Sequence, residues 1–178
     1  TITAYIMKQF GPHSVVDMAR KMGIKSKLYP VPSICLGTFD LSVFEMVGAY
    51  SVFANGGKKV EPYLIKKIVD RSGKILFEKQ VANPEQVIDP RVAFLINDIL
   101  KEAATRGTAK KVSELQRTDF AGKTGTTNKA ESTWFTGYNA HIVTSVWVGF
   151  DQPKSLGDRE FGSTTALPIW LNYKKEII

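Results

Sequence analysis

Phe120-Ala121-Gly122-Lys123-Thr124-Gly125-Thr126-Thr127 decides how this sequence is read. Gly-Lys-Thr within it invites a phosphate-binding loop, and that reading has a direct test. Such a loop needs a glycine five residues ahead of Gly122, where this chain has Arg117. It also needs a helix whose N-terminus faces the phosphate, whereas the stretch leads toward Trp134-Phe135-Thr136-Gly137-Tyr138, which is strand-like. The phosphate reading fails on both counts. Lys-Thr-Gly has a second chemical meaning, as a strand lining an acyl-transfer cleft. A lysine there attracts a substrate carboxylate, worth roughly 4 kcal/mol at about 4 Å under an effective dielectric near 20. Flanking threonine hydroxyls can bond the same carboxylate, and Gly125 removes a side chain where an acyl group must lie against backbone. A strand N–H can stabilise the tetrahedral oxyanion, an effect of about two to three orders of magnitude in rate.

Around that stretch the final third of the chain reads as three successive strands, 120–127, 133–138 and 142–150, with Asn139-Ala140 at one turn. The last run carries large apolar residues on both faces, as expected of a sheet covered on both sides. Residues 166–178 form an expected closing helix with Pro168 in its first turn. Upstream, Asp89 and Pro90 open a helix whose buried face is expected at Val92, Leu95, Ile96, Ile99 and Ala103. Ser42-x-x-Glu45 resembles a capping box, with Asp40 as a competing cap. The helix after it is expected to bury Val43, Met46, Val47, Tyr50 and Ala54 and to end at Asn55-Gly56-Gly57. Ile2, Tyr5, Ile6 and Phe10 make a helical stripe ended by Gly11-Pro12. Val15, Met18, Ala19 and Met22 make another, with Gly23 at its C-cap. The segment from Lys25 to Gly37 reads as irregular, and 64–69 with 74–77 read as a hairpin turning at Asp70-Arg71-Ser72-Gly73.

The chain has 178 residues, 43% hydrophobic and 23% charged, which excludes wholesale disorder. Its net charge of +7 favours an acidic partner without choosing nucleic acid, anionic lipid or an anionic polymer. The basic residues are dispersed and no nucleic-acid recognition motif appears, so nucleic acid is not the expected partner. Cys35 is the sole cysteine, which excludes an intrachain disulfide and a cysteine metal cluster, and His13 and His141 leave little material for zinc. No metal or cofactor is expected. Trp134 and Trp147 are expected in the core, Cys35 as a small buried or half-buried hydrophobe, and His13 on the surface.

Lys-Thr-Gly is a weak signal by itself, and its context is what makes it specific. Phe-Ala-Gly-Lys-Thr-Gly-Thr-Thr-Asn, then Thr-Trp-Phe-Thr-Gly-Tyr and Val-Trp-Val-Gly-Phe-Asp resemble the end of the transpeptidase domain of class A penicillin-binding proteins. Leu36-Gly37-Thr38, Ala49 through Gly57, Arg106-Gly107-Thr108-Ala109 and Ala166-Leu167-Pro168-Ile169-Trp170 resemble the same family, in order, across the chain. The resemblance implies an α+β penicillin-recognising fold: an antiparallel sheet with helices on both faces. It implies D-Ala-D-Ala transpeptidation of peptidoglycan stem peptides through an acyl-serine that β-lactams also form. It further implies an upstream glycosyltransferase domain and membrane anchor, with this domain on the extracytoplasmic face of the membrane.

By that resemblance the catalytic residues are Lys123, for electrostatics and proton relay, and Thr126, whose amide is the second oxyanion donor. Lys123, Thr124, Gly125 and Thr126 are the substrate-binding residues, the two threonines holding the carboxylate. One position departs from the family: Ser132 stands where an acidic residue usually lies two positions before Trp134, with Glu131 adjacent. No serine here is followed by Lys three residues on, and none by Asn two residues on. The expectation is therefore that residues 1–178 are the C-terminal portion of the domain, starting just beyond Ser-x-Asn and incomplete on that side. Such a fragment would be inactive alone and, with 142–150 as an open edge, prone to dimerise. Two rival functions are a non-catalytic interaction domain on the same scaffold and a basic nucleic-acid-binding module.

Overall fold

A computed structural model describes residues 2–178. Helices α1 (Ile2–Phe10) and α2 (Pro12–Lys21) open the chain, and the expected start of α1 at Thr1 lies outside the described residues. Gly23, at φ 101°, ends α2: its N–H reaches Arg20 O at 3.0 Å, and the Ile24 N–H reaches Ala19 O at 3.0 Å. Those two bonds satisfy the last carbonyls of the helix, and the left-handed residue they require is a glycine. The segment expected to be irregular contains a 3-10 turn at Pro32–Leu36. Proline fixes φ for its first residue, a local preference compatible with such a turn.

Helix α3 (Val43–Ala54) starts at Ser42, not at Asp40, through a complete capping box. The Ser42 hydroxyl accepts from the Glu45 amide, and the Glu45 carboxylate accepts from the Ser42 amide at 3.0 Å. The same carboxylate takes the amides of Lys25 (2.8 Å) and Ser26 (2.7 Å) and the Ser26 hydroxyl (2.7 Å). Burial pushes the Glu45 carboxyl up, but these hydrogen bonds outweigh it and hold it at about 2. One glutamate thus caps a helix and ties down the segment after α2.

Strands β1 (Lys58–Lys59) and β4 (Glu85–Gln86) pair antiparallel, a contact with no signal beyond Lys59 meeting Glu85 at 2.8 Å. Strands β2 (Lys67–Val69) and β3 (Ile75–Glu78) form the expected hairpin, its first strand shorter than 64–69. Asp70 builds the turn by accepting from the Ser72 amide, the Ser72 hydroxyl and the Lys74 amide. Helix α4 (Pro90–Thr105) begins at Asp89, whose side chain accepts from the Arg91 amide. A 3-10 turn at Lys110–Leu115 follows.

The remaining elements are β5 (Ala121–Thr126), β6 (Ser132–Tyr138), β7 (Val143–Gly149) and α5 (Ala166–Ile177). The three strands form one antiparallel sheet in the order β5-β6-β7. Helix α5 packs against one face and α3 against the other, so helices cover both faces of the sheet. The core lies between sheet and α5. Phe120 and Phe135 meet the Trp170 ring edge-on at 5.3 and 5.1 Å, with Leu167, Leu171, Val112 and Ala104 around them. Burying side chains of this size contributes about 2–3 kcal/mol each. Gly137 is required there, since a Cβ would lie 2.6 Å from the Trp170 ring.

Four expectations about burial are corrected. On α1, Ile2, Tyr5, Ile6 and Phe10 are exposed, and Met7 is the buried residue. On α3 the buried residues are Gly48, Ala49 and Val52, while Val43 is exposed. On α4 they are Ala93 and Ala104, leaving Val92, Leu95 and Ile99 exposed. Trp147 is 38% exposed and packs on a half-buried Trp134 at 6.4 Å, so Trp170 is the core tryptophan. For α3 and α4 the physical reason is shared: periodicity marks an apolar face, but the close contacts are made through small residues beside it, Gly48 and Ala49 on α3 and Ala93 and Ala104 on α4.

Candidate active site

The resemblance places its site residues on β5, and the structure brings all four together at one edge of the sheet. β5 pairs only with β6, in the register Lys123↔Thr136, Thr124↔Phe135, Gly125↔Trp134 and Thr126↔Thr133. Just beyond the strand, the Thr127 N–H donates to Ser132 O at 3.1 Å. Bonded and non-bonded pairs alternate in an antiparallel ladder. The N–H and C=O groups of Thr126 and Thr124 therefore point away from β6, toward the open edge. Lys123 lies at the same edge, its Nζ donating to Thr124 O at 2.9 Å. The lysine is exposed.

Alternation along the strand separates the side chains by face. Lys123 and Gly125 share a face with Trp134, and a Cβ on Gly125 would lie 3.2 Å from the Trp134 Cβ. Thr124 and Thr126 share the opposite face, which continues into Phe120 and the α5 core. Each hydroxyl has a protein partner. Thr124 Oγ1 lies 2.9 Å from Thr108 Oγ1, on the loop that follows α4. Thr126 Oγ1 accepts the Gly162 N–H at 2.9 Å. Gly162 sits so close to the strand that a Cβ would fall 2.6 Å from Gly125 O and 2.5 Å from Trp134 O. Thr108 and Gly162 carry no site motif of their own; Thr108 lies in the quoted Arg-Gly-Thr-Ala run, but its contact with Thr124 is a long-range one.

Two clamps hold β5 in place. At its start, Asp119 accepts from Arg117 at 2.8 and 2.7 Å and from the Asn139 amide at 3.0 Å. The Arg117 hydrogen bonds hold the Asp119 carboxyl at about 2, against the opposing effect of burial. At its end, the Thr127 hydroxyl accepts from the Glu131 and Ser132 amides at 2.9 and 3.1 Å. The turn at the departing position Ser132 is thus closed by backbone donors and Thr127. Surface grooves of about 400 Å³ beside Phe94 and Leu95 and about 250 Å³ beside Tyr138 and His141 do not reach Lys123. The β5 edge itself is open.

A model of the penicillin binding protein transpeptidase domain matches residues 30–169. The chain belongs to the penicillin-binding protein transpeptidase family. Penicillin-binding protein 1A of Pseudomonas aeruginosa is 37% identical over 222 residues, an alignment covering 97% of this chain and 27% of that protein. The crystal structure of penicillin-binding protein 1A from Haemophilus influenzae superposes with a TM-score of 0.89 at 31% identity, over 98% of this chain and 32% of that one. The structure of PonA1 from Mycobacterium tuberculosis in complex with penicillin V superposes with a TM-score of 0.72 at 27% identity, over 89% of this chain and 48% of that one. The chain spans about a quarter of the length of the curated relatives it matches. Its α+β architecture is that of penicillin-binding transpeptidase domains, and within that family it aligns with class A proteins. Lys123-Thr124-Gly125-Thr126 forms the last four residues of β5.

Proposed function

We propose that this chain is the C-terminal portion of the transpeptidase domain of a class A penicillin-binding protein, supplying the Lys-Thr-Gly wall of its active site. The observation that carries the reading is the open β5 edge, where the Lys123 ammonium and the outward Thr126 N–H lie along one line of backbone. In the full-length protein a serine nucleophile outside this chain would attack the D-Ala-D-Ala carbonyl of a stem peptide and release the terminal D-Ala. An amine from a second stem would then displace the acyl-serine and form the cross-link. Penicillin acylates the same serine, in line with the ligand of the PonA1 complex. Lys123 attracts the substrate carboxylate and supports proton transfer, Thr124 and Thr126 hydroxyls hold that carboxylate, and the Thr126 amide donates to the oxyanion. Gly125 keeps the wall low.

The exposed apolar faces of α1 and α4 support the same reading, since large faces of this kind mark contact surfaces. The upstream glycosyltransferase domain, the membrane anchor and the extracytoplasmic location belong to this proposal. So does pairing of the isolated chain through β7.

Labelling with a fluorescent penicillin, followed by a denaturing gel, tests the assignment. The full-length protein labels, and this chain alone does not. Lys123→Ala in the full-length protein lowers the second-order acylation rate at least about a hundredfold, because a charge-assisted contact and an electrostatic contribution vanish together. Lys123→Arg rescues incompletely, since a planar guanidinium does not replace a point charge. Acylation within about threefold of wild type for Lys123→Ala, at unchanged melting temperature, would falsify the site assignment.

A further inference from the structure

The bond between Thr108 and Thr124 has a direction, and the direction decides what Thr124 can offer a ligand. A hydroxyl carries one proton and two lone pairs, and a carboxylate only accepts. Thr124 can donate to a carboxylate only if Thr108 is the donor in the 2.9 Å bond they share. The neighbouring hydroxyl already meets this condition. Gly162 N–H occupies a lone pair of Thr126 Oγ1 at 2.9 Å, which leaves the Thr126 proton free. Two residues apart on one face of β5, the two threonines would then present two protons to the same side.

Thr108 is held for this task by its surroundings. The loop is folded back on the end of α4: the Gly107 amide reaches Glu102 O at 3.1 Å and the Ala109 amide reaches Ala103 O at 3.1 Å. A Cβ on Gly107 would lie 2.9 Å from the Ala103 backbone, so the loop docks through a glycine. Ala109 and Val112 are buried just beyond it. Between those anchors only the Thr108 hydroxyl is directed at β5.

We infer that Thr108 is a positioning residue: by donating to Thr124 Oγ1 it turns the Thr124 proton toward the carboxylate of the acyl donor. The inference rests on the proposed reading of Thr124 as a carboxylate ligand and extends it to a residue on another element.

The test uses the full-length protein and two acyl donors, benzylpenicillin and its methyl ester, which lacks the charged carboxylate. Thr108→Val keeps the shape and removes the hydroxyl. It is expected to lower the second-order acylation rate with benzylpenicillin about fivefold, as for the loss of one neutral hydrogen bond, the one that orients the Thr124 proton. The ester should stay within about twofold, and Thr108→Ser should restore the benzylpenicillin rate. A purely structural role would slow both donors together, and that result overturns the inference, as does an unchanged benzylpenicillin rate. If Thr108→Val melts lower than wild type, Thr108→Ala is measured in its place. Thr124→Val separates the two levels of the argument. If it abolishes the preference for the free carboxylate while Thr108→Val keeps it, this inference alone fails. If Thr124→Val also keeps the preference, the reading of Thr124 fails, and the role of Thr108 falls with it.

Discussion

Lys174 is the least expected residue of the chain. It is fully buried on α5, and its Nζ has no hydrogen-bond partner. Three rings surround it, Trp170 and Tyr173 at 5.4 Å and Phe120 at 5.8 Å, so cation–π attraction takes the place of a counterion. The adjacent Lys175 pairs with Glu114 instead. Burial pushes the Lys174 ammonium down to about 8. The folded chain therefore releases this proton at lower pH than the unfolded chain, whose lysine titrates near ~10.4. Between those values the unfolded state holds more protons, and stability rises with pH through that window. Lys174→Met should raise stability at pH 7 by about 1–2 kcal/mol, because the lost cation–π attraction is smaller than the removed desolvation. It should also abolish the alkaline rise. Melting of the full-length protein followed by tryptophan fluorescence between pH 7 and about 10 checks both. A lower-melting variant that keeps the rise would show that the aromatic cage outweighs the burial.

At the scale of elements, strands and helix ends were legible and the burial of helix faces was not. Asp89, Ser42 with Glu45, and Gly23 act within a few residues of themselves, so their signals are local and the structure realises each of them. The three final strands agree with their expected bounds within one residue. The four residues proposed for the site come from the resemblance, since the triplet alone is common on exposed strands. Thr108 and Gly162 were not, because a contact with Thr124 or Thr126 across 16 or 36 residues leaves no periodic mark. β7 carries a prediction of its own. It is an edge strand of the sheet, half-buried except at Trp147 and without a neighbour on its outer side. Unpaired edges of this kind add strands from other chains. The isolated chain should therefore sediment as a dimer or larger species at about tens of micromolar. A monodisperse monomer there would count against β7 as a pairing edge.

For the molecule as a whole, apolar surface is divided unevenly. The sheet and α5 enclose a close-packed centre, while α1 and α4 turn Phe10, Phe94 and Leu95 outward. The β2–β3 hairpin is different again. Every residue of both strands is exposed, and the turn is organised by its own Asp70. Its fold thus draws mainly on its own hydrogen bonds. Limited trypsin digestion of this chain should cut first after Arg71 or Lys74, and mass spectrometry of the early fragments checks it; a first cut inside β6 or α5 would contradict the exposure pattern. The two pieces should stay associated through α3, which packs on β6 and β7 and buries Val52 against Ile88 and Ala93. The 70–74 turn is accordingly a natural insertion point, where a fluorescent tag would leave β5 and the packed elements untouched.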